Sequence, residues 1–162
     1  MKKHRIAAYI LIVAMAAFLS ACGGGKATES SAGEQMPEKK SEKILQLKIG
    51  DTAVEVAWEE NESVEALKRL CEKEPLTIQM SMYGGFEQVG PIGTGLPSND
   101  VQTTTTSGDI VLYSGNQMVV FYGSNSWAYT RLGHITDQDE EGMKELLGKG
   151  NITITINMEE IG

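Results

Sequence analysis

The sequence is poor in the residue types that most covalent and metal chemistry requires. It holds two cysteines, two histidines and four prolines in 162 residues, and aromatics make up 6%. Cys22 falls at the end of an apolar leader, so Cys71 is the one thiol left for the folded part, and no intramolecular disulfide is expected there. One thiol and one imidazole beyond the leader, Cys71 and His134, cannot supply the four ligands of a structural zinc. Neither a metal nor a cofactor is expected. Basic charge is scarce as well, with 14 Lys and Arg against 22 Asp and Glu. Loss of the leader would remove Lys2, Lys3 and Arg5 and no acidic residue, leaving 11 against 22. A chain so acidic lacks the basic patches that displace counterions from nucleic acid, so nucleic acid is not an expected partner.

What is present begins at the N-terminus. Lys2, Lys3 and Arg5 precede an apolar run from Ile6 to Phe18, and small residues follow. That is the pattern of a secretory signal over residues 1–21. The residues Leu19-Ser20-Ala21-Cys22 resemble a bacterial lipobox. The resemblance implies thioether attachment of diacylglycerol to Cys22, cleavage before it, and further acylation of the palmitate type. The alternative, a membrane-spanning helix, asks for roughly 20 apolar residues. The run from Ile6 to Ala21 falls short of that and lacks a basic stop signal behind it. The expected location is therefore the extracytoplasmic face of the cell membrane, with the membrane contacted through lipid on Cys22. Residues 22–43, rich in Gly, Ser, Glu and Lys, read as a flexible tether, with a mean reach of about 25 Å. Residues 44–162 have the length of one domain, expected to be monomeric.

The folded part alternates in period two. Leu45, Leu47 and Ile49 lead through Gly50-Asp51 to Val54, Val56 and Trp58, a hairpin around a type II′ turn. Glu62 to Lys73 reads as a helix, acidic at its start and basic at its end, with Pro75 as its stop. Leu76–Met82 is a strand, and Gly84 to Asp100 reads as a long glycine-rich excursion. Val101–Thr106, Asp109–Ser114, Gln117–Gly123 and Ala128–Ile135 follow as strands, the middle two joined at Gly115-Asn116. Asp137–Leu147 reads as a second helix, with Asp137 and Glu140 as a capping box and Gly148 as C-cap. The acidic run Asp137, Asp139, Glu140 and Glu141 is read as a helix start rather than as a calcium loop. Asn151–Asn157 closes a mainly β pattern of about eight strands and two helices. Such a set closes into a barrel or stays an open sandwich.

Whole phrases of the chain resemble the bacterial cyclophilin-like family. They are Ile49–Trp58, Glu62–Lys73, Met80-Ser-Met-Tyr-Gly-Gly-Phe-Glu-Gln-Val-Gly90, Ser107-Gly-Asp-Ile-Val-Leu-Tyr-Ser-Gly-Asn-Gln117 and Val120-Phe-Tyr-Gly-Ser-Asn-Ser-Trp-Ala-Tyr-Thr-Arg-Leu-Gly133. The resemblance implies a closed eight-stranded β-barrel with two α-helices over residues 44–162. Cyclophilin isomerases also carry a Phe-His-Arg phrase whose arginine assists rotation about the prolyl bond, and no such phrase occurs here. Beyond the leader the arginines are Arg69, in the charged end of the first helix, and Arg131, in a strand. Arg131 is the arginine left for a catalytic role.

Eight aromatics lie beyond the leader, and seven fall in two segments, Tyr83–Phe86 and Tyr113–Tyr129. With the neighbouring glycines they suit a shallow apolar groove, although strands and barrel cores use aromatics too. Tyr83, Phe86, Tyr113, Phe121, Trp127 and Tyr129 are the candidate walls, Phe121 being better suited to the core. Gln88 and Gln117 are candidate amide contacts. Two functions follow as expectations. One is a non-catalytic module holding a peptide segment or small molecule outside the cell. The other is a peptidyl-prolyl cis-trans isomerase for exported proteins, with Arg131 catalytic.

Overall fold

The computed structural model describes residues 42–161. The leader, the Cys22 lipidation site and the tether up to residue 41 lie outside the described residues. In chain order the elements are β1 (Glu42–Ile49), β2 (Thr52–Val54), β3 (Val56–Trp58), α1 (Glu62–Cys71), β4 (Leu76–Tyr83) and β5 (Glu87–Pro91). They continue with β6 (Val101–Thr104), β7 (Asp109–Tyr113), β8 (Gln117–Phe121), β9 (Ser126–Ile135), α2 (Glu140–Leu147) and β10 (Ile152–Ile161).

The strands pair antiparallel in the order β2-β1-β10-β4-β5-β8-β7-β9-β3, with β6 joined to β9 off that path. Only Glu55 separates β2 from β3, yet β2 pairs with β1 and β3 with β9. One stretch of chain thus holds both ends of the sheet, and the sheet is a nearly closed barrel. This corrects the expected count of eight strands to ten. The break at Glu55 divides one expected strand. β5 supplies the other, inside what reads in sequence as an irregular excursion.

The interior follows from alternation. Leu45, Leu47 and Ile49 of β1, Ile78 and Met80 of β4, and Ile154 and Ile156 of β10 are buried together. They meet Val64 and Leu67 of α1 and Met143 and Leu147 of α2 in the same cluster. β7 and β8 depart from simple alternation because both of their faces are covered. Ile110, Leu112, Met118 and Val120 point to the main core, while Val111, Val119 and Phe121 form a second cluster with Tyr129 on the opposite face. A strand buried on both sides reads as an unbroken apolar run, as Ile110–Leu112 and Met118–Phe121 do.

Local chemistry sets the joints. Gly50 takes φ +57° in the two-residue loop between the paired Ile49 and Thr52, which is the II′ geometry the sequence suggests. Asn61 caps α1, its side-chain oxygen accepting from the Val64 amide at 3.0 Å. Its amide nitrogen donates to the Arg131 carbonyl at 2.8 Å, tying α1 to β9. α2 starts later than its expected Asp137 cap. Asp139 is the N-cap, its Oδ1 accepting from the Gly142 amide at 2.8 Å, so Glu140 and Glu141 fill the first turn.

Candidate functional site

Five aromatic or acidic side chains converge on the outer face of the sheet made by β4, β5, β8, β7 and β9. The hairpin Tyr83-Gly84-Gly85-Phe86-Glu87 makes the first contact. Gly84 and Gly85 take φ +61° and +77°, a left-handed pair that only glycine adopts without strain. The turn sets Tyr83 opposite Glu87 in the β4–β5 register, and Glu87 opposite Phe121 on β8. Val89 then lies opposite Val119, and Val119 opposite Val111. On the far side Tyr129 stands edge-on to Tyr113 and to Phe121, with ring centroids 6.1 Å and 5.8 Å away.

Above this surface is a cavity of about 370 Å³ lined by Tyr83, Glu87, Val89, Tyr113, Val119, Asn125, Trp127 and Tyr129. Its rim is exposed aromatic surface, since Tyr83 is 66% and Trp127 57% exposed. Its floor is buried, with Tyr129 at 4% and Glu87 at 5%. The Asn125 Nδ2 donates to the Tyr129 hydroxyl at 3.0 Å. The Asn125 backbone is held in turn by the buried Thr105, whose hydroxyl accepts from the Asn125 amide at 3.0 Å and donates to its carbonyl at 3.1 Å.

Glu87 is the chemical peculiarity of the cavity. Its Oε2 is buried and has no hydrogen-bond partner. Burial pushes its carboxyl from the ordinary 4.5 up to about 7, because the low-dielectric surroundings disfavour the charged form. Burial, and then the Glu87 charge, raise the hydroxyls of Tyr122 and Tyr129 as well. An arrangement of this kind, concave, largely apolar and holding one poorly paired ionisable group, is the usual form of a small-ligand site.

The sequence-derived candidates divide between this cavity and other places. Tyr83, Tyr113, Trp127 and Tyr129 line it. Phe121 is fully buried in the cluster beneath, and Phe86 packs against that cluster. Gln88 turns the other way on β5. It is fully buried, and its Nε2 donates at 2.6 Å to the carbonyls of Leu147 and of Gly150, holding the end of α2. Gln117, half-buried at the start of β8 opposite Tyr113 and Pro91, is not among the lining residues. Arg131 lies apart, in a separate hollow beside α1 with Asn61, Ser63, Pro97 and Thr130. Its guanidinium donates to Asp109 Oδ1 at 2.8 Å. That buried carboxylate also receives the His134 Nδ1 at 2.8 Å and the Thr106 amide at 2.8 Å. Arg131 and His134 thus serve a satisfied structural carboxylate.

Glu87 and Asn125 are absent from the sequence-derived set. For Glu87 the sequence offers only Gly84-Gly85, a hairpin cue between Tyr83 and a Val-containing segment. A two-residue loop there would pair Tyr83 with Phe86, whereas the three-residue loop Gly84–Phe86 pairs it with Glu87 and brings Glu87 and Val89 to the side of Tyr83. Asn125 sits in a loop, and no periodicity points to it.

A model of the cyclophilin-like family matches residues 47–157. Among solved structures, the chain is similar to that of a hypothetical protein from Archaeoglobus fulgidus determined in solution. The two are 18% identical, with a TM-score of 0.49, over 75% of this chain and 98% of that one. No curated protein matches the sequence.

Proposed function

The chain belongs to the cyclophilin-like family, and from that premise we propose that it is a binding module held at the extracytoplasmic face of the membrane by lipid on Cys22. Its aromatic cavity receives a peptide segment or small molecule that approaches from outside the cell. One observation carries the ligand-binding part: four aromatics far apart in sequence, Tyr83, Tyr113, Trp127 and Tyr129, line a single cavity with a buried floor. Two large aromatics left more than half exposed at its rim are an unusual use of apolar surface, and such patches mark sites of contact.

The isomerase reading has less support. It needs a free cationic donor over an apolar groove, and Arg131 is outside the aromatic cavity and bonded to Asp109.

The test is a titration of the full-length protein in detergent with a panel of short peptides and small amphipathic molecules, followed by the Trp127 indole resonance. Saturable shifts that vanish in a Tyr83→Ala, Tyr129→Phe double variant, which keeps the Trp127 indole, are the expected result. A panel that leaves Trp127 unmoved overturns the reading. Prolyl isomerisation of an Xaa-Pro peptide, present in the wild type and lost in Arg131→Ala, would favour the enzyme instead.

A further inference from the structure

Resting on that ligand-binding reading and narrowing it, we propose that the aromatic cavity takes an organic ammonium ion, with the Glu87 carboxylate as its counter-charge. Glu87 is 5% exposed, lines the cavity and leaves Oε2 without a hydrogen-bond partner. Buried carboxylates are ordinarily paired with a cation or fully hydrogen-bonded. Among the described residues that line this cavity there is no Lys, Arg or His, so the protein does not supply that cation.

The walls specify what kind of cation fits. A bare calcium or magnesium ion demands six or so oxygen ligands, and one carboxylate among ring faces does not provide them. Tyr83, Tyr113, Trp127 and Tyr129 offer π faces, which attract a weakly hydrated cation placed within about 6 Å of the ring centres. An alkylammonium meets both demands. Its N–H donates to the Glu87 carboxylate, which no cation of the cavity lining pairs, and its charge is shared with the rings. Val89 and Val119 meet its alkyl portion. The same carboxylate repels anions, so an acidic peptide is a poor fit.

Proton linkage gives a second signature. The titratable groups around Glu87 are Tyr83 on β4, Tyr113 on β7, Tyr122 just beyond β8 and Tyr129 on β9. Of these, Tyr122 and Tyr129 are shifted upward and so stay protonated across the neutral range. Glu87, pushed up to about 7, is the group whose charge changes there. An ammonium ligand selects its ionised form and releases its proton.

The experiment compares n-butylammonium with n-butanol, its neutral counterpart, on the full-length protein in detergent, again by the Trp127 indole resonance. Butylammonium is expected to bind about tenfold or more tighter than butanol. Glu87→Gln should remove that preference, so that butylammonium binds no tighter than butanol. Below pH 7 the butylammonium affinity should fall by about tenfold per pH unit, as the proton competes for Glu87. Should Glu87→Gln fail to fold, Tyr83→Ala at the exposed rim takes its place and should weaken butylammonium several-fold. Equal affinity for both probes, insensitive to pH and to the substitutions, overturns the inference while the groove itself stands. So does silence toward both probes when panel peptides still shift Trp127. Silence toward probes and peptides alike overturns the inference and the ligand-binding reading together.

Discussion

Glu87 places a carboxyl where it is largely shielded from water, and the consequence is measurable without any ligand. The folded protein keeps the Glu87 proton up to about pH 7, whereas the unfolded chain gives it up near the ordinary 4.5. The folded state therefore binds more protons across that window, and stability is lost as pH rises through it. The full effect of such a shift is on the order of 3 kcal/mol. Denaturant unfolding of the wild type from pH 4.5 to 8 should show this decline. Glu87→Gln, which does not titrate, should flatten it. Parallel pH profiles for the two proteins would show that Glu87 is solvated after all. Cys71 gives the contrasting case. Its thiol, facing the core from α1, is pushed up to about 11 by burial. The thiolate is the reactive form, so an alkylating reagent should label Cys71 in denaturant and spare it in the native state. Rapid native labelling would mean that α1 detaches easily.

At the scale of elements, the turns and ion pairs between strands hold the aromatic face in shape. The β7–β8 loop carries Ser114 at φ +52°, the one described non-glycine residue in the left-handed region, followed by Gly115 at φ +72°. A left-handed side-chain-bearing residue costs about 1–2 kcal/mol, of which glycine would return part through its greater freedom when unfolded. Ser114→Gly is thus expected to stabilise the protein by about 0.5–1 kcal/mol, measured by denaturant unfolding. A loss of stability would show that the serine makes a compensating contact. Between β7 and β9, Arg131 and His134 share the buried Asp109. Arg131→Ala removes one donor from that carboxylate and leaves His134 in place, so the expected cost is about 1–3 kcal/mol. Wild-type stability in the variant would mean that Arg131 is free for another role.

These elements also show where the fold was legible in sequence. The Gly50-Asp51 hairpin, both helices and the alternating strands β1, β4 and β10 follow from local chemistry that nothing in the tertiary structure overrides. β5 was hidden because Gly84, Gly90, Pro91, Gly93 and Gly95 read as loop. Gly90 has a different reason to be glycine. A Cβ there would come within 2.5 Å of the Met80 sulfur and 2.6 Å of the Gln79 carbonyl, so close packing of β5 on β4 demands it. The miss propagated. Without β5 there is no parity to place Glu87 beneath Tyr83 and to turn Gln88 inward, so the amide was a candidate while the carboxylate went unnoticed. The aromatic walls were accessible because their clustering survives any register. The α2 cap moved by two residues because several acidic side chains in a row can each cap a helix, and only the backbone path chooses Asp139.

For the molecule as a whole, the question is how a site on the barrel wall relates to the proposed lipid anchor. Among the described residues the sheet is almost fully paired around its circumference, and the core runs through β1, β4, β10 and both helices. If the proposed lipid anchor on Cys22 holds, folding and anchoring are expected to be separable, and Cys22→Ala tests that separation. With no thiol to accept diacylglycerol, the chain should leave the acylated membrane pool, read as loss of labelled fatty acid from the protein. A single acyl chain holds a protein only marginally, whereas two hold it firmly, so a partly acylated variant would be expected to wash off as well. The folded part should keep its unfolding midpoint and its Trp127 response to butylammonium. Unchanged acylation in Cys22→Ala would refute Cys22 as the anchor. A lowered midpoint would show that the segment before Glu42 contributes to the barrel after all, and the site could not then be treated as independent of its tether.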